Sequence, residues 1–339
     1  MGNRFRNYLI LRKIHKYFLN FIYVITSAIK LENITTPKSK FLRMIYFFCL
    51  KKNLIFYISF DNIKFYINSS DKVNSRKIYS NLKFPQFDEF LRAYQLLESI
   101  NYKTETLVDI GAHYGNISVP AVKKELFDRA VAIEPVSDNF DILERNVNIN
   151  DVTEKIRILN LFIGDGDDKT EIYTFNNNPA ASLKVDDPNF LEEYSKTYNL
   201  KNSKKIIVEQ KKLDDILFEK TLESTFIWSY CQGDDINIIS SSKKVIKSNT
   251  PFSIPVSNYL LNKNKYDIEK FISQLIDGNY KKFYDLSEKM PKSYDLNTTS
   301  FLNLYRKYGA SGGFTNVLFV WFIFPKWKIN NRNNWTNKK

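Results

Sequence analysis

A short apolar strand that runs directly into a glycine turn restricts the folds open to this 339-residue chain. The segment covers residues 106–118 and has the sequence TLVDIGAHYGNIS, in which Asp109 comes near the strand end. A second apolar strand, at 129–133, is followed by another carboxylate, Glu134. Acids at two successive strand ends, on either side of a glycine turn, are typical of a pocket for a nucleoside with free ribose hydroxyls.

Strands and helices alternate from residue 106 onward, and this alternation indicates the fold class. The predicted strands cover residues 107–110, 129–134, 156–163, 226–230, 252–256 and 318–324, and the predicted helices cover 117–126, 138–148, a stretch ending near 247, and 267–277. The pattern predicts an α/β fold with a doubly wound, mainly parallel sheet that is covered by helices on both faces.

Four segments are predicted along the chain. They are a basic, aromatic helical extension (1–52), a hairpin with a lead-in helix (53–105), the α/β domain (106–325) and a basic tail (326–339). The extension is expected to contain two helices, divided near residues 35–37. The hairpin strands at 53–60 and 64–68 are separated by Asp61 and Asn62, and the lead-in helix covers 87–99.

The net charge of +13 is concentrated at the two ends of the chain. Residues 1–60 contain eleven Lys or Arg and one acid, residues 326–339 contain five basic residues and no acid, and the remainder has a net charge of −2. A nucleic-acid enzyme is expected to carry its basic patch around the active site. The distribution therefore argues against a nucleic-acid partner and fits a membrane surface, an acidic partner or simple solvation of the ends.

An apolar stretch at 17–29 lies within the N-terminal extension. It is thirteen residues long, whereas a helix needs about 20 residues to span a bilayer. Two interpretations stay open, a helix packed on the protein or a partner, and a basic, aromatic helix that lies in a membrane interface. Peripheral membrane contact through residues 1–52 is therefore one expectation.

Cysteine and histidine are too scarce to suggest a metal centre. The two cysteines, Cys49 and Cys231, are far apart in the sequence, and the only histidines are His15 and His113. No metal site is expected, and without a disulfide framework a reducing cytoplasm is the default compartment, with membrane association as a variant of it.

The glycine turn can be compared with three kinds of nucleotide site. A P-loop is excluded, because Gly115 is followed by Asn116 and Ile117 rather than by Lys and Ser or Thr. A dinucleotide site is disfavoured, because His113 replaces the middle glycine and Asp109 would repel a pyrophosphate. The same carboxylate suits an amino group such as that of S-adenosyl-L-methionine. The residues of the turn thus favour a site for S-adenosyl-L-methionine. The alternative interpretation, an ordinary surface turn without a ligand, is less favoured.

The glycines and acids around the turn have separate expected roles. Gly111 and Gly115 allow the backbone to approach a ligand closely. Glu134 can accept hydrogen bonds from both ribose hydroxyls. Asp165, at the end of the third predicted strand, could receive an adenine amino group.

Several short motifs, taken in order along the chain, resemble the FkbM-type S-adenosylmethionine-dependent methyltransferases. They are 108–116 (VDIGAHYGN), 132–135 (AIEP), Asn139-Phe140 with Leu143 and Asn146-Val147, 163–165 (IGD), 181–183 (ASL) and 213–215 (LDD). Over residues 106–325 the resemblance implies a Rossmann-like methyltransferase domain that acts on a hydroxyl of a sugar, glycolipid or secondary metabolite. By position it assigns to the cofactor Asp109, Gly111, Gly115, Glu134 and Asp165, and the predicted cofactor turn also includes His113 and Asn116.

Two strand ends depart from the pattern that the resemblance implies. Tyr230 stands where the family has an aspartate after the fourth strand, and Pro255 stands near the end of the next strand, where a glutamate is usual. Gln232 and Gly233 fit the pattern, and Asp235 is a shortened form of the family's glutamate.

Methyl transfer from a sulfonium to an alcohol needs alignment and a proton acceptor. Asp235 is the first candidate for the base, with capping of the following helix as its alternative role. Gln232 is the second predicted catalytic residue, and Tyr230 and Pro255 are predicted to line the acceptor site.

Two functions are compatible with these residues. The first is an active O-methyltransferase whose acceptor, a small molecule or glycan with a free hydroxyl, binds a site that contains Tyr230 and Pro255. The second is a domain that binds the cofactor but transfers methyl poorly and serves in binding or assembly. The oligomeric state is not predicted.

Overall fold

The computed structural model describes residues 38–51, 53–166, 168–185, 187–217, 219–257, 266–309 and 313–321. The predicted apolar stretch at 17–29, the first predicted helix and the tail at 326–339 lie outside these residues. Within the described ranges, no helix combines the length and the apolar composition that crossing a membrane requires.

A helix, a hairpin and two further helices precede the central sheet. They are α1 (Lys40–Cys49), β1 (Ile55–Phe60), β2 (Ile63–Asn68), α2 (Asn74–Asn81) and α3 (Phe87–Ser99). The predicted hairpin is confirmed, because β1 and β2 pair antiparallel and the turn residues Asp61 and Asn62 have φ of +54° and +60°. Asp and Asn tolerate this left-handed conformation better than other side chains do. The predicted lead-in helix is confirmed as α3.

Strands from residue 106 onward form two sheets. In chain order they are β3 (Thr106–Ile110), β4 (Arg129–Ile133), β5 (Ile156–Leu159), β6 (Phe162–Ile163), β7 (Lys169–Phe175), β8 (Ser203–Lys211), β9 (Thr225–Ser229), β10 (Phe252–Val256), β11 (Lys282–Asp285), β12 (Lys292–Asp295) and β13 (Thr315–Val320). The central sheet has eight strands in the order β12-β11-β13-β10-β9-β3-β4-β5, and the small sheet has the order β6-β8-β7. The five central strands β5, β4, β3, β9 and β10 are parallel, and β13 joins β10 antiparallel. The predicted α/β class with a mainly parallel sheet is confirmed.

Helices connect these strands and cover the sheet. They are α4 (Ser118–Lys123), α5 (Ser137–Ile149), α6 (Pro188–Thr197), α7 (Leu213–Ile216), α8 (Asp235–Ser241), α9 (Lys243–Lys247), α10 (Ile268–Asp277) and α11 (Thr298–Gly309). Along β3, Leu107 belongs to one hydrophobic cluster and Val108 to another. Phe226 and Ile227 on β9 divide in the same way. Because successive side chains of a strand point to opposite faces, both faces of the sheet are buried, as a doubly wound arrangement requires.

The order of the strands reverses beside β3. From β3, the chain adds β4 and β5 on one side of the sheet and later adds β9 and β10 on the other side. In open α/β sheets, ligands bind in the crevice that forms at the carboxyl ends of the strands at such a reversal. The fold therefore places the expected site beyond Ile110 of β3 and Ser229 of β9.

The predicted strand at 156–163 is wrong, because the structure divides it between two sheets. Residues 156–159 pair with β4, whereas Phe162 and Ile163 pair with β8. Between them, the Asn160 side chain donates a hydrogen bond to the backbone carbonyl of Glu134 (2.8 Å). The chain leaves the central sheet at this point.

Two further predictions of single elements need correction. The helix expected to end near 247 is divided at Ser242, because the Asp214 carboxylate accepts hydrogen bonds from the backbone of Lys243 (3.0 Å) and Lys244 and so holds the start of α9 separately. The last strand covers Thr315–Val320, so it begins three residues before the predicted start at 318, and residues 322–324 of the predicted strand lie outside the described residues. The small sheet with α6 was not predicted, because β8 has the sequence SKKIIVEQK and its exposed charges weaken the apolar signal of a core strand.

Candidate functional site

A cavity lies at the carboxyl ends of β3, β4 and β9, at the reversal of strand order. It contains about 850 Å³ of empty space, part of which is open to solvent. We refer to it as the switch-point cavity, and its lining includes Asp109, Gly111, His113, Glu134 and Tyr230. Its position at the strand ends, where strand order reverses, marks it as the candidate ligand site.

Asp109 both lines the switch-point cavity and holds the start of α4. Its side chain is buried, and its Oδ2 accepts a hydrogen bond from the backbone N–H of Ser118 (3.0 Å). Burial raises the pKa of Asp109 to about 7, although hydrogen bonds from Ser118 lower it. A buried carboxylate in this state gains from a cationic or hydrogen-bond-donating ligand.

The two glycines of the turn are required for its backbone conformation. Gly111 and Gly115 have φ of +81° and +85°, which L side chains rarely adopt. A Cβ at position 111 would lie 2.5 Å from the carbonyl oxygen of Tyr230, and one at position 115 would lie 2.7 Å from Cγ2 of Val119. Gly111 lines the cavity, whereas Gly115 shapes the turn from behind it.

Glu134 closes the turn from the neighbouring strand. Its Oε2 accepts a hydrogen bond from the backbone N–H of His113 (2.9 Å), and its Oε1 accepts from Val136 N–H (3.1 Å) and from Nδ2 of Asn139 (3.0 Å). Burial raises the pKa of Glu134 to about 7, and these hydrogen bonds oppose the rise. A carboxylate has about four acceptor positions, so Glu134 keeps acceptor capacity beyond its three protein donors.

His113 and Asn116 bring unpartnered polar atoms to the turn. Both residues are buried and line the cavity, and their side chains approach each other at 3.4 Å between Nδ1 and Nδ2. Within the described part of the chain, neither Nε2 of His113 nor Oδ1 of Asn116 has a hydrogen-bond partner, although Nε2 lies 4.0 Å from Oδ2 of the buried Asp71. Burial lowers the pKa of His113 to about 4, so its imidazole is neutral at neutral pH. Unsatisfied buried polar atoms are costly, and a bound polar ligand would relieve that cost.

Asp165 and Pro255 are among the predicted site residues that do not reach the cavity. Asp165 is exposed after β6 and is not among the lining residues. Pro255 is buried within β10, opposite Asn316 of β13, and it is also absent from the lining. The structure therefore does not support Asp165 as an adenine contact or Pro255 as part of the acceptor surface, because β6 has left the central sheet and Pro255 lies inside a strand ladder.

Asp235 faces its own turn rather than the cavity. Its Oδ1 accepts hydrogen bonds from Oγ of Ser229 (2.6 Å) and from Cys231 N–H (2.8 Å), and its Oδ2 accepts from Gly233 N–H (3.3 Å). Burial raises the pKa of Asp235 to about 6. It is completely buried and does not line the cavity, so it organises the turn after β9. The alternative role considered for it, capping of the following helix, is not seen either, because α8 begins at Asp235 itself, its N-cap is Asp234, and no side-chain hydrogen bond caps it.

Gln232 lines the cavity, and its side chain is bonded to residues 179–183, a segment that we call the covering segment because it also lines the cavity. Its Nε2 donates to the carbonyl of Ala180 (2.9 Å), and its Oε1 accepts from the hydroxyl of Tyr194 (3.2 Å). The lining includes four residues of the covering segment, namely Pro179, Ala180, Ser182 and Leu183. Gln232 thus connects the end of β9 to the covering segment, and this contact indicates a positioning role.

Tyr230 lines the cavity next to residues that precede β3. Burial raises the pKa of its phenol well above the usual range, and the nearby carboxylates of Glu89 and Asp235 add to the rise. A hydrogen bond joins the side chains of Tyr230 and Gln86, and Gln86 lines the cavity together with Asn74. Neither lining residue was identified from the sequence, because both belong to short segments without a recognisable motif.

Glu89 is a further acid that the sequence did not single out. It is half-buried on α3, three residues after Gln86, and its Oε2 accepts a hydrogen bond from Nδ2 of Asn316. Burial raises the pKa of Glu89, and the hydrogen bond from Asn316 and the charge of Arg92 oppose the rise. An acid in the first turn of a helix is common because it interacts favourably with the helix dipole. The position of Glu89 in the sequence therefore did not indicate a functional role.

The raised pKa values of Asp109 and Glu134 predict a pH-dependent stability of the ligand-free protein. Both values lie near 7, above the ordinary values of 3.8 and 4.5, so the folded state holds protons that the unfolded state has lost. Stability is therefore lost as pH rises through 7. We expect the free energy of unfolding in urea to fall by about 1–2 kcal/mol between pH 6.5 and 8.

Asp109→Asn provides the control for this pH dependence. The amide cannot ionise, and its oxygen can still accept the hydrogen bond from Ser118 N–H, so the fall should be about half as steep. An equal slope in the variant and the parent protein would contradict the assignment. His113, whose pKa is lowered to about 4, slightly opposes the fall, because the unfolded histidine still loses its proton near its ordinary pKa of 6.5. This contribution is the same in the variant and the parent protein.

Comparisons with known proteins identify a family and several solved structures. Residues 109–280 match the family described as the methyltransferase FkbM domain. Comparison with curated proteins gave no match. A methyltransferase FkbM from Methylobacillus flagellatus is 14% identical, with a TM-score of 0.38, and the match covers 74% of this chain and 55% of that one. This chain thus spans about half of that protein's length.

Two archaeal structures give matches of similar quality. TYW2 of M. jannaschii, in complex with AdoMet, is 10% identical with a TM-score of 0.37, covering 80% of this chain and 86% of that chain. The tRNA m1G37 methyltransferase of the same organism is 9% identical with a TM-score of 0.36, covering 80% and 55%. These scores are low, so the description of the fold depends on the strand order of the chain itself.

Proposed function

Because this chain belongs to the FkbM family of methyltransferases, we propose that it binds S-adenosyl-L-methionine in the switch-point cavity and methylates a hydroxyl group. The observation that supports the proposal most is the meeting of Asp109 and Glu134 at one cavity. These two acids come from adjacent strands, and both line the space beyond the strand ends. Sequence pattern and geometry thus point to the same pocket.

The residues of the cavity fit this cofactor by their chemistry. Glu134 would hold the ribose hydroxyls, because it is a buried acceptor with capacity beyond its protein donors. Asp109 would offset the positive charge of the methionine end. Oδ1 of Asn116, which has no hydrogen-bond partner among the described residues, would supply a further polar contact to it. We propose no metal ion for this binding.

The transfer step sets a clear requirement for the protein. Bound S-adenosyl-L-methionine supplies a methyl group on a sulfonium, from which an alcohol oxygen can displace the thioether. The carbon–sulfur bond breaks, a carbon–oxygen bond forms, and the hydroxyl proton must leave to a base. Asp235 is unsuited to this role because its carboxylate accepts three hydrogen bonds inside its own turn.

Glu89 is the better candidate for the base. Glu89 is not itself a lining residue, but its charge raises the pKa of Tyr230, which lines the cavity, and it follows the lining residue Gln86 by three positions. Burial raises the pKa of Glu89 itself, and a base is most effective when its pKa lies near the working pH. The acid that the resemblance places after the fourth strand would thus be supplied by α3, from outside the matched residues 109–280.

The acceptor in this proposal is a sugar, a glycolipid or a secondary metabolite with a free hydroxyl. The wall formed by Tyr230 and Phe314, whose rings meet edge to face at 5.9 Å between centroids, suits the apolar face of such a molecule. Nucleic acid is not proposed as a substrate, because the excess of positive charge lies at the chain ends. We place the protein in the cytoplasm, in contact with a membrane as argued below.

A second candidate function is a domain that binds the cofactor but transfers methyl poorly. Two observations favour this impaired domain. Asp235 is bonded inside its own turn, and Tyr230 and Pro255 occupy positions where acids are expected. The two functions share the cofactor site and differ in turnover.

Calorimetric titration with S-adenosyl-L-methionine tests the shared part of both functions. We expect saturable binding at one site per chain, and no binding would contradict both. Incubation with methyl-labelled cofactor and a panel of sugar and glycolipid acceptors then separates them. Labelled product supports the methyltransferase, whereas binding without labelled product supports the impaired domain.

A further inference from the structure

The first described helix, α1, is fixed to the protein by one face only. Phe47 on that face is fully buried and its ring lies 5.8 Å from the ring of Tyr79 on α2. On the same face, the buried Arg43 donates from Nε to the carbonyl of Ser80 (3.0 Å). These contacts determine the rotation of α1 about its axis, and therefore which side chains point away from the protein.

The opposite face of α1 is apolar and exposed. Phe41 is 64% exposed, Met44 41% and Phe48 55%, and they recur at the three- and four-residue spacing that places side chains on one side of a helix. Leu42, beside them, is 52% exposed. Single exposed apolar residues are common on protein surfaces, but a contiguous patch usually marks an interaction site.

Basic residues surround this apolar face, and acids are absent from the nearby sequence. Lys38, Lys40 and Lys51 are exposed at the two ends of α1. The guanidinium of Arg76, on α2, lies 5.7 Å from the centre of the Phe48 ring. No Asp or Glu occurs between residues 33 and 60. A partner that carries negative charge therefore complements the basic residues around α1, and an apolar surface complements its exposed face.

We propose that the exposed face of α1 docks on the surface of an anionic lipid bilayer. A bilayer surface offers both features at once, acyl chains for aromatic side chains and phosphate groups for lysine and arginine. Phe41, Met44 and Phe48 enter the region below the headgroups, while Lys38, Lys40 and Arg76 contact the lipid phosphates. The inference depends on α1 and its surroundings, and it stands whether or not the proposed transfer reaction is correct.

Vesicle sedimentation with the full chain tests the proposal. Purified protein is mixed with sucrose-loaded vesicles of phosphatidylcholine alone or with phosphatidylserine, and the bound fraction is measured after centrifugation. We expect binding to the phosphatidylserine vesicles that weakens with added salt, because electrostatic attraction to the surface is screened. Equal binding to both kinds of vesicle, or none to either, would overturn the proposal.

One double variant and one single control variant locate the contact. Phe41→Ser combined with Phe48→Ser should lower the vesicle partition coefficient at least about tenfold, because apolar area is lost from the interface. Ile207→Ser is the matched control, since Ile207 is 68% exposed on β8, far along the chain from α1, and it should bind like the parent. Both changes are at exposed positions, so circular dichroism should show folded protein in each case.

Other occupants of the face give different results. If residues 1–37 of the chain cover α1, the double variant binds vesicles as well as the parent does. If a second copy covers it, light scattering shows a dimer that the double variant converts to a monomer, with no dependence on lipid. Either result overturns the bilayer proposal.

Discussion

Glu134→Gln should lower the affinity for S-adenosyl-L-methionine by about a hundredfold, measured by calorimetric titration at neutral pH. The proposed role of Glu134 is to accept hydrogen bonds from two ribose hydroxyls, and a hydrogen bond to a charged group is worth about 1.5–3 kcal/mol. Removal of the charge weakens each of the two bonds by about 1.4 kcal/mol, and since each 1.4 kcal/mol represents a factor of ten in affinity, the two together give about a hundredfold. The effect should appear in binding, before any acceptor is present.

The same substitution disturbs the turn as well as the ligand. Glu134 accepts from His113 N–H, Val136 N–H and Asn139, so a glutamine NH₂ group must face one of these donors. A loss of about 1–3 kcal/mol of stability is therefore expected alongside the loss of affinity. Urea unfolding measures this part separately, and titration is done where the variant is fully folded.

Asp165→Asn is the matched control for Glu134→Gln. It makes the same carboxylate-to-amide change at a residue that follows the next predicted strand, but Asp165 is exposed and outside the cavity lining. We expect its affinity for the cofactor to equal that of the parent protein. An equal loss in both variants would contradict the site, because it would mean that general charge and not the cavity determines binding.

The sequence was sufficient to predict the half of the site that local motifs encode. Asp109, Gly111, His113 and Glu134 all line one cavity, because the carboxyl ends of adjacent parallel strands must meet at one edge of the sheet. A strand followed by a glycine turn carries this information within a few residues. The fold class was predictable for the same reason, since alternating strands and helices leave few arrangements.

The other half of the site depends on contacts between distant segments, which the pattern does not encode. Asp165 was placed by counting strands, but β5 ends at Leu159 and the chain then enters the small sheet. Asp235 follows a strand end as expected, yet its side chain turns back to Ser229 and Cys231. Gln86 reaches the cavity from the start of α3, and Glu89 lies on the first turn of that helix. This segment precedes β3 in the sequence, so no spacing rule within the α/β domain identifies either residue.

Glu89→Gln should lower the rate of methyl transfer by roughly 10²–10⁴-fold, the usual contribution of a general base, without changing cofactor affinity. The amide oxygen can still accept the hydrogen bond from Asn316 that the carboxylate accepts in the parent. The fold around α3 is therefore retained. The measurement is the initial rate of label transfer to the acceptor that responds in the panel, at saturating cofactor and over a range of pH.

The pH profile separates a base from a residue that only positions others. In the parent, the rate should rise with pH as Glu89 loses its proton, around a pKa that burial has raised above the ordinary carboxyl range, and this limb should be absent from Glu89→Gln. Asp88→Asn is the matched control, because Asp88 is the adjacent acid on α3, exposed and 3.6 Å from Lys83. If Glu89→Gln transfers methyl at the parental rate, Glu89 is not the base. If Glu89→Gln and Asp88→Asn both keep the rise of the rate with pH, the hydroxyl proton must leave to another group. Asp235→Asn would then be the next variant to measure.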